Sequence, residues 1–310
     1  MTTRPRVIID CDPGHDDAFA LIVASKFAEI LGVTTVAGNA PLDLTTKNAR
    51  IILDICGAAG VQLHSGANRP LVAEPIHAAY IHGESGMDGA TFSPPSRPVD
   101  GTDAVHFIID TARSNPGAWL VPTGPLTNIA LALRVAPDLV STISGISLMG
   151  GGRFGNRTAS AEFNIWCDPE AASAVFDSGA KIVMSGLHLT HQIMATSARI
   201  EMVRNAHATV GPKLAGLLEF FSKTYKSLHD DFEGAPLHDV CAVLALTHPQ
   251  LFGASERHVA VEIDGAITRG MTVIDDRHVI ARGKANTRVL ETIDSDAAFS
   301  AIVEAIKACP

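Results

Sequence analysis

Cysteine is sparse in this sequence and badly spaced for a cross-linked frame. Cys11, Cys56, Cys167, Cys241 and Cys309 are odd in number, scattered, and never form a C-x-x-C pair. That excludes a disulfide framework and a cysteine zinc site, and it predicts reduced thiols in a cytoplasmic protein. Long apolar runs are also missing: Ser, Thr or a charge interrupts each one before the roughly 18 residues that a membrane helix needs. Positive charge is in deficit, with 24 Lys and Arg against 33 Asp and Glu and a net charge of −9, so the basic footprint of a nucleic-acid binder is not expected. There is no low-complexity tract, no internal repeat and no Pro-, Ser- or Gly-rich linker. Met1 to Arg6 is too short and polar to supply a charged region, an apolar stretch and a cleavage site, which predicts no export signal. With 46% hydrophobic and only 18% charged residues the chain is expected to be soluble and folded, as one domain over residues 1–310.

Short runs rich in Val and Ile alternate with longer segments of helical period. The expected strands are residues 7–10, 34–37, 61–64, 118–121, 145–149 and 181–184, and the intervening helices 16–29, 44–56, 102–113, 126–133 and 169–178. Alternation of this kind specifies an α/β fold, an open, mainly parallel, Rossmann-like sheet with helices on both faces. Beyond about residue 190 the pattern becomes a helix-rich C-terminal elaboration, with helices at 198–206, 212–229, 239–246 and 296–308 and added strands near 259–263, 271–274 and 289–292. Residues 68–101 form a long Pro- and Gly-containing stretch of the sort that serves as a functional loop.

The most informative segment is Asp10-Cys11-Asp12-Pro13-Gly14-His15-Asp16-Asp17, in which an apolar strand runs into four carboxylates and a Pro-Gly turn ahead of an amphipathic helix. Open α/β sheets bind ligands at the carboxyl ends of their strands. Four acids so close together repel one another unless a cation or hydrogen-bond donors compensate, and hard oxygen donors suit Ca²⁺ or Mg²⁺. An EF-hand is excluded, because it would need Gly where His15 stands and Glu where Leu21 stands. A haloacid-dehalogenase-like phosphatase also places Asp-x-Asp after its first strand, but Pro13-Gly14 stand where it would carry Thr or Val.

Four other segments follow expected strands or open helices and so converge on the same sheet edge: Gly38-Asn39, Pro122 to Asn128, Met149 to Asn164, and Pro236 to Asp239. Thr123 ends an apolar strand, where its carbonyl is free to act as a ligand. Gly150-Gly151-Gly152-Arg153-Phe154-Gly155 fits G-x-G-x-x-G, but the polar residues after it open no helix for a pyrophosphate to sit on. Asn156, Glu162 and Asn164 instead offer the carboxamides and carboxylate suited to sugar hydroxyls. His238-Asp239 sets a proton donor beside a ligand. The other histidines lack zinc spacing.

Taken in order, Asp10 to Ala18, Val36-Ala37-Gly38-Asn39, His82-Gly83-Glu84-Ser85-Gly86, Thr123 to Asn128, Met149-Gly150-Gly151-Gly152, Asn156, Ala161-Glu162-Phe163-Asn164, Asp168-Pro169-Glu170-Ala171 and Leu237-His238-Asp239 resemble the inosine-uridine-preferring nucleoside hydrolases. That resemblance implies calcium-dependent cleavage of the N-glycosidic bond of a ribonucleoside, giving ribose and free base, in a homodimer or homotetramer. It implies that Asp12, Asp17, the Thr123 carbonyl and Asp239 bind Ca²⁺ and that Asp12 takes the proton from the attacking water. Asp16, Asn39 and Asn164 would contact the 2′- and 3′-hydroxyls, Asn156 and Glu162 the 5′-hydroxyl, and Met149 the ribose. His238 would protonate the leaving base, His82 would lie in a substrate-facing loop, and Tyr225 on a helix that closes over the base. The residue types suit an oxocarbenium-like transition state, which needs nearby carboxylates and a base for water.

Two departures stand out. His15 replaces the usual aliphatic residue of the opening motif, and His188 replaces the usual Asp in Gly186-Leu187-His188-Leu189-Thr190-His191. A different class of function, a catalytically silent nucleoside- or ribose-binding protein, would keep Asp12, Asp17 and Asp239 but lose turnover. Neither reading fixes a purine or pyrimidine preference.

Overall fold

A computed structural model describes residues 4–228, 232–277 and 283–310. Residues 1–3 of the opening segment and His229, the expected end of one helix, lie outside the described residues. Six parallel strands make the centre: β1 (Arg6–Cys11), β2 (Glu29–Thr35), β3 (Leu63–Ser65), β4 (Trp119–Pro122), β5 (Gly145–Met149) and β6 (Ile182–Ser185). Their spatial order is β3-β2-β1-β4-β5-β6, with the strand Thr287–Ile293 added parallel to β6 and Phe252–Arg257 antiparallel at the edge. The doubly wound α/β architecture read from the alternation is present, as is the helix-rich C-terminal part.

That order fixes where a ligand can bind. From β1 the chain turns one way to β2 and later the other way to β4, so the crossovers on either side of β1 diverge and leave a crevice beyond the carboxyl ends of β1 and β4. Asp10 pairs with Pro122 across those strands, and the Thr123 N–H donates to the Asp10 carbonyl at 2.9 Å. Asp12 and Thr123 therefore emerge side by side at the switch point.

The helix α1 (His15–Phe27) leaves the β1 turn and is buried along residues 15–24. An amphipathic helix was the expectation; instead its outer side is covered by the helices Val240–Thr247 and Ser295–Lys307. Glu29, expected as a helix residue, opens β2, so helix and strand are joined with almost no loop. Two expected C-terminal strands do not join the main sheet: Val259–Val261 and Thr272–Ile274 pair as a separate antiparallel ribbon. A second ribbon, Met194–Ala195 with Ala235–Pro236, brings Leu237 onto Ile193 through a backbone hydrogen bond and so aims His238-Asp239 at the crevice. Ile9, Val33, Val121 and Leu217 are among the fully buried core residues, each contributing about 1.5–3 kcal/mol relative to exposure. Among the described residues no helix is long and apolar enough to cross a membrane.

Candidate active site

Asp12 sits just past β1 with no solvent exposure. One carboxylate oxygen, Oδ2, accepts from the Asn39 N–H at 2.7 Å; the other, Oδ1, is buried without a partner. Two glycines wrap this carboxylate. A Cβ on Gly124 would come within 2.5 Å of Oδ1, and one on Gly38 would lie 2.9 Å from Cγ and collide with Oδ2. Neither glycine has a positive φ, so the requirement is close approach and not backbone strain.

Next to it, Asp16, Asp17 and Asp239 each offer an oxygen such that the three atoms lie within 4.8 Å of one another, all buried. Asp17 is oriented from both sides, accepting from the Gly14 N–H at 3.0 Å and the Thr123 hydroxyl at 2.7 Å. None of the ion pairs among the described residues reaches this group. Burial, then the Asp17 charge, pushes Asp16 up to about 7. Burial is also the main cause that holds Asp12 and Asp239 well above the usual carboxylate range, with their acidic neighbours adding to it. Carboxylates that resist ionisation this strongly, one of them with an orphaned oxygen, have the properties of a divalent-cation pocket, and an all-oxygen donor set suits a hard cation. The Thr123 carbonyl faces the same space; it accepts from Asn164 Nδ2 at 2.8 Å and has a second lone pair free.

Above the acids lies a cavity of about 90 Å³. Its lining includes Asp16, Asn39, His82, Thr123, Met149, Asn156, Glu162, Asn164, Tyr225, His238 and Asp239, so the sequence-predicted set comes together. Asp12 and Asp17 lie behind that lining, tied to it through Asn39 and Thr123. Asn164 bridges Thr123 and Met149, donating also to the Met149 carbonyl at 3.3 Å. Glu162 caps the short helix Phe163–Cys167, accepting from the N–H groups of Asn164 and Ile165 and also from Gly151, and burial raises its carboxyl to about 7. The glycine-rich turn after β5 is thus filled by Glu162, which disposes of the dinucleotide motif. Asn156 is exposed and spends its Oδ1 on the Phe163 N–H at 2.9 Å.

His238 has both ring nitrogens engaged, Nδ1 with the Thr190 hydroxyl at 2.7 Å and Nε2 with the Tyr225 hydroxyl at 2.9 Å. Burial lowers its pKa well below the ordinary imidazole value. Tyr225 packs edge-on against Phe221, giving this end of the cleft an aromatic wall.

The fourth acid of the opening motif does other work. Asp10 accepts from the Thr34 hydroxyl at 2.6 Å and Asn128 Nδ2 at 2.8 Å, locking β1 to β2 and to the helix after β4. His188 does not line the cleft; its Nε2 lies 3.5 Å from Glu291 on the strand Thr287–Ile293. Sequence reasoning passed over Gly38, Gly124 and Thr190. The first two stand in motifs quoted for their neighbours, and only the packing around Asp12 reveals their role. Thr190 lies in the segment singled out for His188.

Fold and site together define an α/β protein with a carboxylate-floored small-ligand cleft at its switch point. The chain belongs to the inosine-uridine preferring nucleoside hydrolase family, whose sequence model matches residues 7–300. It is 39% identical over 308 residues to the inosine-uridine preferring nucleoside hydrolase of Leishmania major, covering 97% of each chain. It is 44% identical over 296 residues to the pyrimidine-specific ribonucleoside hydrolase RihA of Shewanella woodyi, covering 94% of each. Among solved structures, the purine-preferring ribonucleoside hydrolase from Gardnerella vaginalis superposes with a TM-score of 0.91 at 31% identity, covering 97% of this chain and 98% of that one. Family membership removes the phosphatase alternative.

Proposed function

We propose that this chain hydrolyses the N-glycosidic bond of ribonucleosides to ribose and free base, with Ca²⁺ held by Asp12, Asp17, Asp239 and the Thr123 carbonyl. The observation that carries this reading is the unpartnered, fully buried Asp12 Oδ1 beside three clustered carboxylates at the floor of the cleft. A bound divalent cation supplies charge compensation, orientation and a lowered water pKa.

The chain's own residues divide the remaining work. Asp12, fixed by the Asn39 amide, takes a proton from the attacking water. Asp16, Asn39 and Asn164 hold the 2′- and 3′-hydroxyl side, Asn156 and Glu162 the 5′-hydroxyl, and Met149 lines the ribose face. Buried carboxylates near the ring stabilise positive charge that develops there. At the aromatic end, His82, Tyr225 and His238 face the base. His238 and Tyr225, hydrogen-bonded to one another, face the base where the departing nitrogen must be protonated, with Thr190 setting the His238 ring orientation.

Reducing-sugar release from a panel of purine and pyrimidine ribonucleosides, with and without chelator, tests this. Release that chelator abolishes and Ca²⁺ restores is expected. Release from none of them returns the reading to a silent binding protein, and release indifferent to chelator removes the cation. We also place the chain in a reducing compartment, the cytoplasm, which its five buried free thiols support. For the expected homodimer or homotetramer, the exposed Leu71, Val72 and Ile76 on one loop, with Tyr80 on the short helix that follows, offer a contact surface, and sedimentation would give the number of copies.

A further inference from the structure

His82, which faces the base, is tied to two groups that the hydrolytic steps above do not use, His15 and the Asp88 carbonyl. His15, in the first turn of α1, places Nε2 2.7 Å from the backbone carbonyl oxygen of Asp88 and Nδ1 3.0 Å from Nδ1 of His82. A carbonyl oxygen only accepts, so His15 Nε2 carries the hydrogen; a neutral imidazole has one such hydrogen, which leaves Nδ1 of His15 as a lone pair. The contact between the two Nδ1 atoms then requires the hydrogen on His82 Nδ1. His82 Nε2 is left as a lone pair. The backbone N–H of His15 also approaches His82 Nδ1, at 3.5 Å, a longer and weaker contact than the 3.0 Å between the two rings.

Position and packing support the assignment. His15 is fully buried and His82 is 5% exposed, an environment that disfavours an imidazolium on either ring. The His15 ring is stacked on Phe220 and Phe221, with interplanar angles of 4° and 6°, which holds its plane, while the Asp88 and His82 contacts set its orientation within that plane. Gly14 makes room for the pair, since a Cβ there would meet His82 Nδ1 at 2.6 Å. His82 lines the cleft, and no group among the described residues bonds its Nε2.

We propose that His15 is a positioning residue that fixes the tautomer of His82, so that His82 presents Nε2 to the bound nucleoside as a hydrogen-bond acceptor and selects a ligand with an N–H or O–H donor at that point. The ligand class rests on the hydrolase reading; the tautomer rests on the Asp88–His15–His82 geometry and on the burial of both rings.

Nitrogen NMR of the full chain labelled with ¹⁵N-histidine separates the two. His82 signals are assigned by their loss in His82→Phe. The native protein is expected to show His82 protonated at Nδ1 and His15 at Nε2. His15→Phe keeps an aromatic ring between Phe220 and Phe221 but cannot accept, so His82 should lose its fixed tautomer and kcat/KM should fall about tenfold or more, mainly through KM. His15→Asn, whose side-chain oxygen can accept from His82 Nδ1–H, should restore both. A native His82 protonated at Nε2, or a His82 spectrum unchanged in folded His15→Phe, would overturn the proposal; if His15→Phe does not fold, the native spectrum and His15→Asn decide. The spectrum needs no turnover. A chain that releases no ribose sinks the hydrolase reading and leaves the tautomer standing, whereas Nε2–H on His82 in an active enzyme does the reverse.

Discussion

Gly38→Ala is the sharpest perturbation the site offers, because one methyl group is driven into the Asp12 carboxylate, with Pro125 its other near neighbour. The glycine has no positive φ, so alanine carries no backbone penalty there. Its Cβ would lie 2.8 Å from Pro125 Cδ and 2.9 Å from Asp12 Cγ, and it would overlap Oδ2 outright. Ordinary contact at 3.5–4.0 Å requires the carboxylate to retreat by roughly 1 Å. The retreat also pulls Oδ2 away from the Asn39 amide, which it now meets at 2.7 Å. A displacement of about 1 Å in a reacting group costs about 10²-fold, or about 2.7 kcal/mol of barrier. Overpacking should lower stability by about 1–3 kcal/mol at most. The assay is kcat for a ribonucleoside at saturating Ca²⁺, alongside thermal unfolding, with Gly60→Ala as control because nothing lies within 4 Å of a Cβ there. A folded Gly38→Ala enzyme with kcat within twofold of native would refute the placement of Asp12 as the base.

Three further outcomes follow from the same geometry. Asp239→Asn removes one of the mutually repelling buried acids, so the chelated variant should melt at or above the chelated native protein while losing the gain of about 2.7 kcal/mol that a cation at 100 times its Kd confers; calorimetry with and without Ca²⁺ checks both. Without cation, Asp10 at about 6 and Asp16 and Glu162 at about 7 hold protons more tightly folded than unfolded. Stability of the chelated protein should therefore be greatest below about pH 4 as far as these groups go and fall as pH rises through 6–7; urea midpoints that increase from pH 5 to 8 in chelator would contradict this. His238→Ala should slow natural ribonucleosides by about 10²–10⁴-fold and spare a riboside with an activated leaving group, and equal slowing of both would take His238 out of proton transfer.

The middle of the sheet is readable because β1, β4, β5 and β6 are short, largely buried runs of mostly apolar residues; β2 opens five residues before the expected 34–37, where Glu29-Ile30-Leu31-Gly32 carries no such run. β1, β4 and β5 begin and end within about two residues of the expectation, and the helix expected at 44–56 runs Leu42–Ile55, with Gly57 at φ +75° just past its end. The edge strand Phe252–Arg257 was invisible, since Phe-Gly-Ala-Ser-Glu-Arg, half exposed in an edge position, has neither an apolar run nor a clean alternation. One-turn helices such as Ala79–His82 and Leu187–Thr190 are too short to show a period, yet they deliver His82 to the cleft and Thr190 to the His238 ring. The same limit applies inside the site. Residue chemistry pointed to Asp12, Asp17, Thr123 and Asp239, but spacing could not say that Asp10 would turn to Thr34 and Asn128 and leave the other acids to the cleft. The roles of Gly38 and Gly124 exist only in three dimensions.

The most direct measurement is a crystal structure grown with Ca²⁺ and soaked with ribose. The expected density is a single cation touching Asp12, Asp17, Asp239 and the Thr123 carbonyl, with the sugar hydroxyls against it and against Asp16, Asn39 and Asn164. Ribose lodged elsewhere, or a cleft without cation in crystals of an enzyme that turns over in chelator, would contradict the account.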